Sequence, residues 1–214
     1  MSAEKKTIVA APDGPEATLP VARITGCSFS PGMRAMINIF DLANRNYTVD
    51  ECDVHTLLGM KDYKLNNATQ QIPYVTIKDQ VIMADTNSLI KYICIYYSMD
   101  KLYPQNTHQK KVDQIMEVVA LQFRVTTDRL MKFAIMERAI ELDKMGPRTD
   151  KLREQIQQEK EIELVVLNQA ILPEVENWLG ETDSAFLVNE DITAADVVLF
   201  HEIVQLTKVT GVEL

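Results

Sequence analysis

Histidine, cysteine and glycine are all scarce in this 214-residue chain, with three, three and seven copies respectively. The glycines are scattered singly, so no glycine-rich loop is present to cradle a nucleotide phosphate. Cys27, Cys52 and Cys94 are an odd number in a long chain, which excludes a disulfide framework and fits a reducing compartment. No His, Cys or Asp spacing reads as a metal site, so no metal is expected. Basic charge is also short. Twenty-two Lys and Arg stand against 31 Asp and Glu, for a net charge of −9 and a pI near 4.9. The longest basic stretch is Gln109-Lys110-Lys111, which argues against nucleic-acid or anionic-membrane partners. No apolar run approaches the roughly 18 residues of a spanning helix, so no membrane span is expected. The patch from Ile8 to Ala11 is too short for a signal-peptide core, and Glu4, Asp13 and Glu16 count against an organelle presequence. A cytoplasmic protein is the expectation.

What is present is ordinary globular composition, 46% hydrophobic and 25% charged. Residues 1–20, with Pro12, Gly14, Pro15 and Pro20, read as a flexible tail. From Val21 to Tyr103 the apolar period changes repeatedly. VARIT alternates as a strand does, Met36, Ile39, Phe40 and Ala43 make a helical stripe, and NYTVDECDV returns to β-type residues. IPYVTIKDQVIM reads as two short strands around the turn Lys78-Asp79-Gln80. Leu89, Ile90, Ile93 and Tyr97 then mark a second amphipathic helix. The order is β-α-β, a connection, then β-β-α.

Beyond Pro104 the pattern is helical. Residues 108–143 form one long segment, GPR at 146–148 breaks it, and a second runs from Thr149 to Leu179 with a kink expected near Leu172 from Pro173. Thr193 and Asp196 give a capping signal ahead of a run that is apolar nearly all round, through Val197, Phe200 and Leu206, so this helix is expected to be buried. His201 on it reads as a satisfied core histidine. Residues 21–103 and 108–214 are therefore expected to be two domains.

Three short motifs carry chemistry. In Cys27-Ser28-Phe29-Ser30-Pro31-Gly32-Met33-Arg34 a proline suited to a first helical turn follows a hydroxyl. Pro73 enters a strand, where it cannot donate to the ladder. Asp85-Thr86 stands where a strand gives way to a helix, as a cap or as an acceptor beside free helix N–H groups.

Together, ITGCSFSPGMRAMINIFDLAN, NNATQQIPYV, ADTNSLIKYI and ITAADVVLF resemble the glutathione transferase family across roughly residues 21–208. The resemblance implies an α+β thioredoxin-like N-terminal domain followed by an all-α helical bundle, usually as a dimer. It implies that Ser30 donates a hydrogen bond to the thiolate of glutathione. Gln71 would reach the glycyl carboxylate, the Ile72 backbone the cysteinyl amide before a cis Pro73, and Asp85 and Thr86 the γ-glutamyl end. Glutathione would then be a substrate, conjugated to a small electrophile or spent on a peroxide.

Two other readings accompany this one. CSFS is similar to the C-G-F-S turn of monothiol glutaredoxins, which would make Cys27 a redox thiol, although Pro31 would then lie a turn inside the helix. Asp85-Thr86 replaces the family's Glu-Ser, and Ala68 and Gln70 replace its usual Pro and Gly. These departures fit a non-catalytic scaffold, as a homodimer or as a subunit of a larger assembly.

Overall fold

The structure, a computed structural model, describes residues 19–51, 72–82, 85–143, 148–181 and 184–210. Gln71 and nearly all of the tail expected at 1–20 lie outside the described residues.

The central strand β1 (Ala22–Gly26) pairs in parallel with β2 (Tyr47–Glu51) and antiparallel with β3 (Tyr74–Ile77), which pairs antiparallel with β4 (Gln80–Ile82). The resulting order, β2-β1-β3-β4, is the mixed sheet of a thioredoxin-like domain. Between β1 and β2 runs α1 (Pro31–Leu42), whose Met33, Met36, Ile39 and Phe40 recur at helical spacing and are fully buried. Asn44, at φ 51°, ends this helix and lets Arg45 N–H return to Phe40 O. The β3–β4 turn is tighter than expected. Lys78 and Asp79 both take positive φ, so two residues make the hairpin and Gln80 already belongs to β4. Helix α2 (Thr86–Tyr96) buries Leu89, Ile90 and Ile93.

In the helical region, α3 (Gln109–Val118) and α4 (Arg124–Asp143) are one continuous rod joined by a π-helical turn at Val119–Phe123. No proline or glycine announces that turn. A second rod joins α5 (Arg148–Val166) to α6 (Leu172–Gly180) through another π turn at Leu167–Ile171. This one sits where the kink was expected. Pro173 offers no N–H, and a widened turn just before it absorbs the missing bond. Trp178 on α6 is a buried anchor.

Helix α7 (Ala194–Thr210) packs against α1, α3 and α4. Its start is tied down as the sequence indicates: Thr193 donates from N–H and hydroxyl to Asp196 Oδ2 at 2.8 and 2.7 Å, and Leu187 N–H donates to Oδ1 at 2.8 Å. The expectation of an apolar interior fails further along. Phe200 is 55% exposed, whereas His201, Glu202 and Gln205 are buried. His201 is not satisfied either, because neither ring nitrogen has a hydrogen-bond partner. Polar residues are drawn inward here because α1 and α4 present Arg34 and Arg124 to this face.

Candidate active site at the tip of the first helix

The segment after β1 makes a tight turn in which Ser30 N–H donates to Cys27 O at 2.9 Å. Ser30 is the N-cap residue of α1, in extended conformation, with Pro31 at the first helical position. Cys27 stands three residues earlier, before the helix begins. A cap serine normally spends its oxygen on an N–H of the first turn. Ser30 does not: it is a half-buried residue at the positive end of α1 that makes no side-chain cap bond, so its hydroxyl is uncommitted.

Glycine makes the close approach around this tip possible. A Cβ on Gly32 would lie 2.7 Å from Thr86 Oγ1, 2.9 Å from Thr86 Cγ2 and 3.4 Å from Pro73 Cδ. One on Gly26 would meet Met33 Sδ at 2.9 Å and Pro73 Cα at 3.3 Å. The tips of α1 and α2 and the Ile72–Pro73 peptide, which is cis, are therefore in van der Waals contact. Three stretches far apart in sequence, Ser30-Pro31-Gly32, Ile72-Pro73 and Asp85-Thr86, meet at one place. Replacing Gly32 with alanine forces Thr86 or a helix to shift. The expected loss is about 1–3 kcal/mol, read from urea unfolding.

Asp85 caps α2. Its Oδ1 accepts from Ser88 N–H at 3.0 Å and its Oδ2 from the Ser88 hydroxyl at 2.6 Å. Desolvation works to raise its pKa, but hydrogen bonds from Ser88, Asn87 and its own N–H outweigh it and hold the carboxyl below its ordinary value. Thr86 is buried against Gly32.

Two contacts at the turn have no signal in the sequence. The Ser28 hydroxyl donates to Glu51, which the parallel pairing of β1 and β2 places opposite Gly26. Arg34, one turn into α1, donates from Nη1 to Ser28 O at 3.1 Å and Phe29 O at 2.8 Å. Its Nη2 donates to Gln205 Oε1 at 2.8 Å and His201 O at 3.4 Å on α7. Among the described residues no group of three or more His, Cys, Asp or Glu side chains converges as a metal site would.

No protein-family model matches the chain, and no curated protein matches it at a significant level. Solved structures do. Glutathione transferase F7 from Populus trichocarpa superposes with a TM-score of 0.67 at 16% identity, over 88% of this chain and 84% of that one. Human glutathione S-transferase T1-1 gives 0.65 at 17% identity, over 90% and 76%. A glutathione transferase homologue from Drosophila mojavensis, with bound glutathione, gives 0.65 at 18% identity, over 91% and 81%. This is the glutathione transferase fold. Within that fold the contact of Gly32, two residues after Ser30, with Pro73 and Thr86 lies where β1 hands over to α1, beside the strand that follows the cis proline.

Proposed function

We propose that the chain binds glutathione across the tips of α1 and α2 and holds its sulfur as the thiolate, for attack on a small electrophile or reduction of a peroxide. Ser30 is the donor to sulfur. The Ile72 backbone pairs with the cysteinyl amide, Gln71 serves the glycyl carboxylate, and Asp85 and Thr86 serve the γ-glutamyl end. The observation that carries this reading is the uncommitted Ser30 hydroxyl at a helix tip that already touches Pro73 and Thr86. The magnitudes suit the task. A free thiol has a pKa of about 8.5, and lowering it by two units requires about 2.7 kcal/mol. A hydrogen bond to a charged group contributes about 1.5–3 kcal/mol and the helix dipole about 0.3–1. In this reading residues 21–103 carry the glutathione site, and residues 108–214 form the helical domain. The protein works in the cytoplasm as a homodimer or within a larger assembly.

The commitment of both Asp85 oxygens to Ser88 favours a second reading, a scaffold that keeps the fold without the chemistry. A thermal shift separates the two. Glutathione at a hundred times its dissociation constant stabilises the native state by about 2.7 kcal/mol, a rise of about 5–10 °C in a chain of this size. Millimolar glutathione leaving the Tm unchanged selects the scaffold.

A further inference from the structure

The guanidinium of Arg34 joins the active-site turn to the helical region. Its Nη1 donates to Ser28 O at 3.1 Å and Phe29 O at 2.8 Å, and its Nη2 to Gln205 Oε1 at 2.8 Å and His201 O at 3.4 Å. Nε is buried and has no hydrogen-bond partner among the described residues, so the two terminal nitrogens alone hold the group. Of the two acceptors on α7, Gln205 makes the strong contact, since 3.4 Å is long for an N–H···O bond. Gln205 is 1% exposed, and its Nε2 donates to Met131 Sδ on α4 at 2.9 Å. A guanidinium offers only donors, so the amide turns its oxygen to Arg34 and its nitrogen to the thioether. A buried side chain fixed on both sides therefore seats Arg34 in one place.

That place sets the geometry of the turn. The Phe29–Ser30 peptide is pinned from both edges, its oxygen by Arg34 and its N–H by Cys27 O at 2.9 Å. The peptide before it has its oxygen, Ser28 O, on the same Arg34 nitrogen. A peptide unit is planar, so holding these two units holds the backbone that enters Ser30 and the point from which its side chain departs. We propose that Gln205 is a positioning residue for Ser30 and acts through Arg34. It seats the guanidinium that holds the turn, and so ties the geometry of the site to the packing of α7 on α4. The inference rests on the glutathione reading above and adds to it a residue 171 positions from Arg34 in the chain. Without the amide oxygen Arg34 keeps only its long contact on α7 and can release the turn carbonyls. Ser30 is then present but misaligned, which is read in turnover more than in binding.

The test is a double-mutant cycle on conjugation of glutathione to an activated aryl chloride, with amide exchange of the ligand-free protein alongside it. Gln205→Met keeps the length of the side chain and removes the acceptor. It is expected to lower kcat about three- to tenfold, with the KM for glutathione within about twofold of wild type. Exchange at Phe29 and Ser30 should accelerate severalfold while Val75 and Thr76 in β3 keep the wild-type rate. In an Arg34→Met background, Gln205→Met should lower kcat no further, because the link through which it acts is gone. A folded Gln205→Met with wild-type kcat, or with wild-type exchange at Phe29 and Ser30, overturns the proposal. So does an undiminished effect of that substitution once Arg34 is removed. Should Gln205→Met not fold, Gln205→Asn, whose shorter side chain draws the amide away from Arg34, must show the same acceleration. If the wild type conjugates no glutathione, the glutathione reading fails, and the exchange rates read through the same cycle decide whether Gln205 holds the turn.

Discussion

Replacing Ser30 with alanine is expected to cut the rate of glutathione conjugation about ten- to a hundredfold while leaving the fold and the glutathione-induced thermal shift almost intact. The hydroxyl contributes one hydrogen bond to a developing or resident anion, about 1.5–3 kcal/mol, and each 1.36 kcal/mol is tenfold in rate. The small effect on stability is specific to this site. An N-cap serine ordinarily contributes about 1 kcal/mol through its bond to the first turn, but Ser30 makes no such bond. Loss of a cap bond therefore cannot be confused with loss of chemistry. Rate and melting temperature measured on one preparation decide it, and a rate unchanged in Ser30→Ala removes the serine from the mechanism. The companion variant is Cys27→Ser. A comparable loss there transfers the chemistry to the sulfur and to thiol exchange.

The second large effect is on stability. Arg124→Met leaves Glu202 buried with no counter-charge in hydrogen-bond reach, and breaking such a pair costs about 3–5 kcal/mol. The lower end is expected, because Arg124 itself is partly exposed. The cost has a pH signature. Desolvation, the largest influence, raises the Glu202 pKa above its ordinary value, and Arg124 works to bring it down. Without Arg124 the native-state pKa rises further. A raised native pKa means that the folded protein binds the proton more tightly than the unfolded chain. The stabilising contribution is then complete below the unfolded pKa and is lost as pH climbs through the folded one. Asp128, raised by burial and lowered by Arg124, carries the same sign. The variant's deficit should accordingly be larger at about pH 8 than at about pH 5, read from paired urea melts. A deficit independent of pH would mean that lost packing, not the buried carboxylate, causes the loss.

The sequence by itself determined the order of elements, because apolar period is a local property: 3.6 for Met36, Ile39 and Phe40, near 2 along β1. It also determined the start of α7, where Thr193 and Asp196 are three residues apart and satisfy one another, and the break before Pro173, which lacks an N–H. The π turn at Val119–Phe123 had no such marker. Motif spacing indicated Ser30, Pro73, Asp85 and Thr86 as candidates. Only the tertiary structure decided that Gly32 seats Thr86 and Pro73 against one helix tip, that the Ser30 oxygen is not spent on a cap, and that Asp85 is. It alone placed Glu202, His201 and Gln205 in the interior and Phe200 outside. Hydropathy orders residues by the average cost of burial, whereas a charge is buried where a partner 78 positions away in the chain meets it. That pairing is a long-range property, and no local window of the sequence contains it.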